Sequence, residues 1–573
     1  MSRWFKKKYR DYEVNPDEIF LDNLNVSNLD TQQFEGVMEK RIPGKVLYSV
    51  GIIFGIICIF FMTKLFSLQL VQGEEYFARS ENNRLQEIPI FAERGVIYDR
   101  NGIEMAWNDN ARQGEDFLRR VYTPLRGNGH LLGYVNYPKT DDNGNYWRPN
   151  IQGQVGLEKN YNESLSGVNG AKLTEVDVMG ESFSEGFTRK AEDGKNLHTT
   201  VDARIQDFLH KSIEKEAEEK DFVGGAGAIM NIHDGGLLAF TSYPEFDPYT
   251  LADASDVEVI EGFFGDERKP FLNRLLTGLY SPGSTVKPFL GLAALEEGVI
   301  TSETTIFSSG RIEIPNRFNP SNSSIFRDWR PAGHGVTDIN HAIADSVNTF
   351  FYAIGGGLGN QEGLGIARME EYLRTFHISE PTGIDFAAES VGTIPSPAWK
   401  EENFSDGTWR LGDTYNTSIG QFGFQTTPLQ LVRATAALAN RGTILKPRLT
   451  QNEAIVSETI ETEISAKNYQ TIHDAMRQTV TRGTAVAINK DYIHMTAKTG
   501  TAQVGRNNEF SHSWIMGFFP YEDPQYAYTI VMERAPRNNG GSAAQTMRRF
   551  VEDVELEYSE FWDQFDTTQE PSQ

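Results

Sequence analysis

The chain has 573 residues and a formal net charge of -25, which allows more than one folding unit. Hydrophobic residues make up 39% of it and aromatics 12%, so it can build a packed core and is not disordered throughout. A phosphate backbone repels a chain this acidic, which excludes nucleic acid as a partner. The single cysteine, Cys58, excludes an intramolecular disulfide and a cysteine-based zinc cluster.

The first ten residues, MSRWFKKKYR, are basic without an acid, and residues 11 to 40 are polar with weak periodicity. Together they read as a flexible tail, residues 1–45, on the cytoplasmic side. Val46 to Thr63 is uncharged, and Lys45 and Lys64 flank it. At about 18 residues it is long enough for a single membrane span, with the flanking amines at the headgroups. A buried core helix is the alternative. No small-x-small cleavage pattern follows the run, and it starts too far along for a signal peptide. The positive-inside rule places residues after Thr63 outside the cytoplasmic membrane.

Leu65 to Leu85 reads as helix. RGVIYDRNG, Arg94 to Gly102, alternates and ends in an Asn-Gly turn, and residues 126 to 170 read as loops between short strands. Residues 64–195 form one expected domain. Near Asn196 the character changes. Val201-Asp202 leads an amphipathic helix with Ile205, Leu209 and Ile213 on one face. A hairpin follows, turning at Asp234-Gly235-Gly236. Helical and turn-rich segments run to about residue 450, strands span Met495 to Glu533, and a helix starts near Met547. This order describes an α+β domain over residues 196–555, with a polar tail, 556–573.

Three short motifs stand in order: Ser284-Thr285-Val286-Lys287, Ser346-Val347-Asn348 and Lys498-Thr499-Gly500. A serine hydroxyl is a weak nucleophile and needs a neighbouring base. Ser284 and Lys287, three apart on a helix, share a face and can hydrogen-bond. Lysine serves as a base once burial or a second cation lowers its pKa, and Lys498 is the candidate second cation. Ser346 is placed to relay a proton and Asn348 to hold an amide. Gly500 on a strand edge lets a peptide approach the backbone. Pro282-Gly283 puts Ser284 at a helix N-terminus, where backbone N–H groups stabilise an oxyanion, although serine is also a favoured helix cap. Ser212-Ile213-Glu214-Lys215 and Ser80-Glu81-Asn82 repeat the spacings. Ser212 is set aside because its helix reads as charge-rich and solvated.

The ordered triple resembles the penicillin-binding protein and serine β-lactamase superfamily. The segments GLYSPGSTVKPFLGLAALEEGVI, FRDWRPAGHG, DSVNTFFYAI, PTGID, TTPLQL and AKTGTAQV with HSWIMGFFP resemble class B penicillin-binding proteins, most of all the elongation-type branch called penicillin-binding protein 2. RGVIYDRNG and GQVGLEKNYNESLSG resemble that family's mostly β pedestal. The resemblance implies a transpeptidase fold, an antiparallel sheet flanked by helices plus a helical subdomain. It implies a D-Ala-D-Ala transpeptidase that cross-links peptidoglycan stem peptides without a cofactor. Ser284 is then acylated and Lys287 is its base. Ser346 and Asn348 transfer protons and hold substrate. Lys498 and Thr499 hold the substrate carboxylate, and Thr501 lends its backbone N–H to the oxyanion hole beside that of Ser284. β-Lactams are implied as covalent ligands. The implied partner is a multi-pass glycosyltransferase of the shape, elongation, division and sporulation (SEDS) family.

Three departures from the family pattern stand out. Only Asn108 to Leu118 occupies the place of the usual head. Asp328 and His334 match two of the zinc ligands found in some members, but Val347 stands in place of the cysteine, so no metal is expected and His334 reads as structural. Phe422 stands where the family has glycine, which implies a different cleft wall. His512 reads as a strand-edge or core residue, and Trp514 and Phe518 as core. A β-lactamase, a β-lactam sensor or an inactive scaffold, and a division role instead of an elongation role, are the competing readings.

Overall fold

A computed structural model describes residues 44–74, 85–142, 146–176, 182–315, 323–386, 388–537 and 539–565. The expected cytoplasmic tail before residue 44, Ser80-Glu81-Asn82 and the end of the C-terminal tail lie outside the described residues. The chain divides into two units. One contains residues 1–86 and 176–181, the other 87–175 and 182–573.

In the first unit, helix α1 (Gly44–Phe66) buries no residue and continues as a π turn to Val71. At 1.5 Å per residue α1 is about 35 Å long, enough to cross a bilayer core. It outruns the uncharged stretch at both ends.

The second unit opens with a four-stranded sheet of β1 (Ile97–Tyr98), β2 (Glu104–Asp109), β3 (Arg119–Tyr122) and β4 (Leu197–His198), ordered β4-β1-β2-β3. Asp109 pairs with Arg119, so residues 110–118 are a hairpin connection, at the place where the resemblance implies a missing head. Beneath it, Glu158 accepts hydrogen bonds from Arg94 Nε at 2.6 Å and Arg120 Nε at 2.7 Å, all three side chains being buried. Burial alone would raise the Glu158 carboxyl, but Arg120 and Arg94 hold it below its usual range. Arg94 also ties the Glu158 and Ser166 segments to the strand start.

Helix α2 (Ala203–Glu219) is capped by Asp202, whose carboxylate accepts the Arg204 and Ile205 N–H groups, a cap that satisfies otherwise orphaned donors. Strands β5 (Gly224–Asn231) and β6 (Leu237–Tyr243) form the expected hairpin. After α3 (Lys287–Glu296), α4 (Asn348–Gly356) and α5 (Pro428–Ala439) come β7 (Lys498–Val504), β8 (Phe510–Phe519), β9 (Tyr526–Pro536) and α6 (Ala543–Glu557). The sheet order is β6-β5-β9-β8-β7, antiparallel throughout. Alternation sends Ile229, Ile515 and Ile530 to one face, against Ile205, Leu209 and Ile213 of α2 and Met547, Phe550 and Val551 of α6. Ala228, Met516 and Val531 face the other way, toward Leu431 and Val432 of α5. This confirms the α+β expectation, and the helix expected near Met547 starts at Ala543.

Glu245, just after β6, fastens the two parts of this unit. Its carboxylate accepts the N–H groups of Gly127 and Gly129, each at 2.7 Å. Burial pushes its carboxyl up to about 7.

Removing Glu158 strands two buried guanidinium groups. Glu158→Ala is expected to destabilise the second unit by about 3–5 kcal/mol, read as a fall in the denaturation midpoint. Glu163→Ala, on the next turn of the chain, serves as the control.

Candidate active site

Ser284 lies in a single 3-10 turn, Gly283–Val286, that feeds directly into α3. Gly283 adopts φ +56, and a Cβ there would come within 2.9 Å of the Thr501 carbonyl oxygen and 3.3 Å of its nitrogen. The turn therefore rests on β7. The Trp514 indole on β8 donates to the Ser281 carbonyl at 3.0 Å, and Thr285 Oγ1 donates to the Pro282 carbonyl at 2.9 Å. Gly500 has a packing role that its motif does not announce. Its Cα faces inward, where a Cβ would lie 2.9 Å from both the Pro282 oxygen and Thr285 Cγ2. It lets the chain's own Ser284 turn approach the strand.

Lys287 is fully buried. Its ammonium donates to the Ser346 carbonyl at 2.9 Å, the Ser346 hydroxyl at 3.3 Å and Asn348 Oδ1 at 2.7 Å. Ser284 is not among these partners, so the expected Ser284–Lys287 hydrogen bond is not formed. A buried ammonium must be saturated with acceptors, and two carbonyl oxygens satisfy it better than a hydroxyl. Ser346 itself, at φ +55, is held in the left-handed region at a cost on the order of 1–3 kcal/mol. From the other side, the buried Lys498 donates to Ser346 Oγ at 2.9 Å and to the Thr499 carbonyl at 2.7 Å. Burial brings Lys287 down to about 7, with the Asp328 charge opposing the fall. Burial, and then repulsion from Lys287, holds Lys498 well below its usual value. Desolvation, and not a second cation, is what lowers Lys287; the repulsion between the two amines falls on Lys498 instead.

Several contributors carry no motif signal. Thr484 Oγ1 lies 2.6 Å from Thr499 Oγ1, and the Thr484 N–H donates to the Ala344 carbonyl. Asp328 Oδ2 accepts from Thr349 N at 3.0 Å and Thr349 Oγ1 at 3.1 Å, which fixes the start of α4 beside Asn348. His334 Nε2 approaches Asp328 Oδ1 at 3.4 Å, and Val347 is buried. Among the described residues no three His, Cys, Asp or Glu side chains converge as metal ligands.

His512 Nδ1 accepts the Arg534 N–H at 3.1 Å at a bulge between β8 and β9, a strand role as expected. Trp514 and Phe518 are fully buried. Ser212 corrects its expectation. It is buried, not solvated, and its hydroxyl donates back to the Phe208 carbonyl at 2.8 Å; its stripe of α2, shared with Glu216 and Glu219, lies against α6, where Ser542 and Arg549 hold those two acids. Phe422 takes φ +66. It stacks on Phe404 and meets Trp399 and Trp409 edge-on, contacts that offset the cost of a left-handed aromatic residue.

The model of the penicillin-binding protein transpeptidase domain matches residues 225–552, and these residues include all three motifs. The chain belongs to the penicillin-binding protein transpeptidase family. A penicillin-binding protein dimerisation domain matches residues 115–199 of this penicillin-binding protein. The peptidoglycan D,D-transpeptidase MrdA of Haemophilus influenzae is 28% identical over 86% of the chain and 89% of its own length. Its Escherichia coli K12 counterpart is 26% identical over 86% and 91%. Penicillin-binding protein 2 of Helicobacter pylori, solved in complex with MreC, matches at 27% identity with TM-score 0.68 over 83% of this chain and 99% of that one. Penicillin-binding protein 2 of Pseudomonas aeruginosa, solved with WCK 5153, matches at 27% identity with TM-score 0.65 over 83% and 98%.

Asp328→Asn removes the charge that opposes the Lys287 shift. The Lys287 titration, followed by the chemical shift of its labelled Cε, is expected to move below its present midpoint of about 7.

Proposed function

We propose that the chain is an elongation-type D,D-transpeptidase in which Ser284 forms an acyl-enzyme with the donor stem peptide of peptidoglycan. The observation that carries this reading is the buried Lys287, brought down to about 7 while it touches Ser346 and Asn348. An amine that is substantially neutral near pH 7 accepts the Ser284 proton as Oγ attacks the carbonyl carbon of the D-Ala-D-Ala bond. The backbone N–H groups of Ser284 and Thr501 take the developing oxyanion; the packing of Gly283 on Thr501 supports this assignment. Ser346, within reach of both amines, passes the proton to the departing D-alanine amine. Lys498 and Thr499 hold the terminal carboxylate, and Asn348 orients the donor amide. The amine of a second stem peptide then attacks the ester carbonyl, forms the cross-link and returns the proton to Ser284. β-Lactams enter by the same first step.

The similarity to MrdA and to penicillin-binding protein 2 supports elongation over division. We assign residues 1–45 to the cytoplasm, 46–63 to the membrane, 64–195 to the pedestal and 196–555 to the catalytic domain; residues 556–565, expected to begin a polar tail, instead pack on that domain, with Phe561 and Trp562 buried in its core. The catalytic domain then faces the outside, beside a multi-pass SEDS glycosyltransferase. Cell rounding after depletion is the expected phenotype, and filamentation would favour the division role.

Incubation with a penicillin and peptide mapping is expected to place a stable adduct on Ser284 and none on Ser284→Ala. Lys287 is neutral above its pKa, so acylation is expected to fall as pH drops through about 7. Lys287→Ala is expected to slow acylation by about 10²–10⁴. Rapid release of hydrolysed drug would identify a β-lactamase instead.

A further inference from the structure

A groove of about 610 Å³ lies between Asp491–His494, the β8–β9 turn and the helical turn Glu560–Asp563. We propose that it docks a basic peptide segment of a protein partner. Asp491, Glu522, Asp523, Glu555 and Asp563 line it, and no lysine or arginine does. Its one basic group, His494, is already paired with Glu522. Lys490, next in sequence, is engaged by Glu552 at 2.7 Å. Among the described residues Asp491, Glu555 and Asp563 form no ion pair. Like charges gathered in a concave site repel one another, and an incoming cation relieves that repulsion.

A second observation is independent of charge. Trp562 also lines the groove, is 3% exposed, and its indole N–H has no hydrogen-bond partner. An unmet buried donor costs about 1–3 kcal/mol, and a peptide carbonyl is the acceptor that would satisfy it. Tyr492 and Phe565 complete an aromatic wall, suited to the methylene stems and cationic heads of lysine and arginine. A chelated metal ion fits less well, because no three of these carboxylates converge. The chain's own end is a poor occupant. Residues 566–573, DTTQEPSQ, carry two acids and no base.

The test uses full-length protein in neutral detergent and fluorescein-labelled hexalysine, read by anisotropy. The triple variant Asp491→Asn, Glu555→Gln, Asp563→Asn is expected to weaken binding at least tenfold while penicillin acylation, which also reports folding, stays unchanged. A matched triple elsewhere, Glu401→Gln, Glu402→Gln, Asp406→Asn, is expected to leave binding intact. Trp562→Phe keeps the ring but loses the donor, and is expected to weaken binding severalfold. Equal weakening by both triples, or none by the first, overturns the proposal. Displacement of the peptide by micromolar calcium would overturn it in favour of a metal site. Competition by spermidine as strong as that by unlabelled hexalysine would overturn it in favour of a small-amine site.

Discussion

Two amines share one hydroxyl in the interior of this protein. Lys287 and Lys498 both reach Ser346 Oγ, and both are fully buried. Taking two ammonium groups out of water is costly, and the protein recovers that cost only if nearby carbonyl oxygens replace the lost solvent. Three separately built elements must therefore meet. The turn after Ala344 is wound left-handed so that the Ser346 carbonyl points at Lys287. Helix α3 sinks Lys287 into an apolar layer. Strand β7 carries Lys498 in from the opposite wall. The same dryness that makes the arrangement costly makes a lysine available as a base near neutrality.

The remaining architecture keeps those three elements in register. The Ser284 turn is clasped between Thr501 on β7 and the Trp514 indole on β8, so sheet and turn cannot shift independently. Both glycines at that junction, Gly283 and Gly500, serve contact within the molecule. Farther from the cleft, buried acids act as fasteners in two ways. Glu158 stays ionised between two arginines, whereas Glu245 faces only His210, whose buried imidazole is held neutral, so it relies on backbone N–H groups and is raised toward neutrality.

Much of this was legible in the sequence because it is local. The hairpin at Asp234-Gly235-Gly236, the capped helix after Asp202 and the three ordered motifs follow from turn chemistry, periodicity and spacing. What escaped depends on distant packing. Gly500 reads as a glycine on a strand edge, and nothing nearby announces that Pro282 and Thr285 will press against it. Ser212 sits among charged neighbours, yet its stripe of α2 lies against α6. Thr484 has no motif and matters only because its loop returns to Thr499. Helical spacing predicts a Ser284–Lys287 pair, but the amine meets the Ser346 carbonyl and Asn348 Oδ1 across the cleft.

Among the described residues β7 has a single strand neighbour, β8, so its other edge is left open. An unpaired edge invites pairing with any extended chain, including another copy of the same protein. Thr501 and Gln503 are exposed along it and Thr499 is half-buried, all three polar, and the Ser284 turn covers part of its length. Apolar replacements at these three positions would make the edge adhesive. Their polarity is therefore a guard against self-association, and a mutational survey scored for solubility should find them intolerant of valine or isoleucine even in a catalytically dead background.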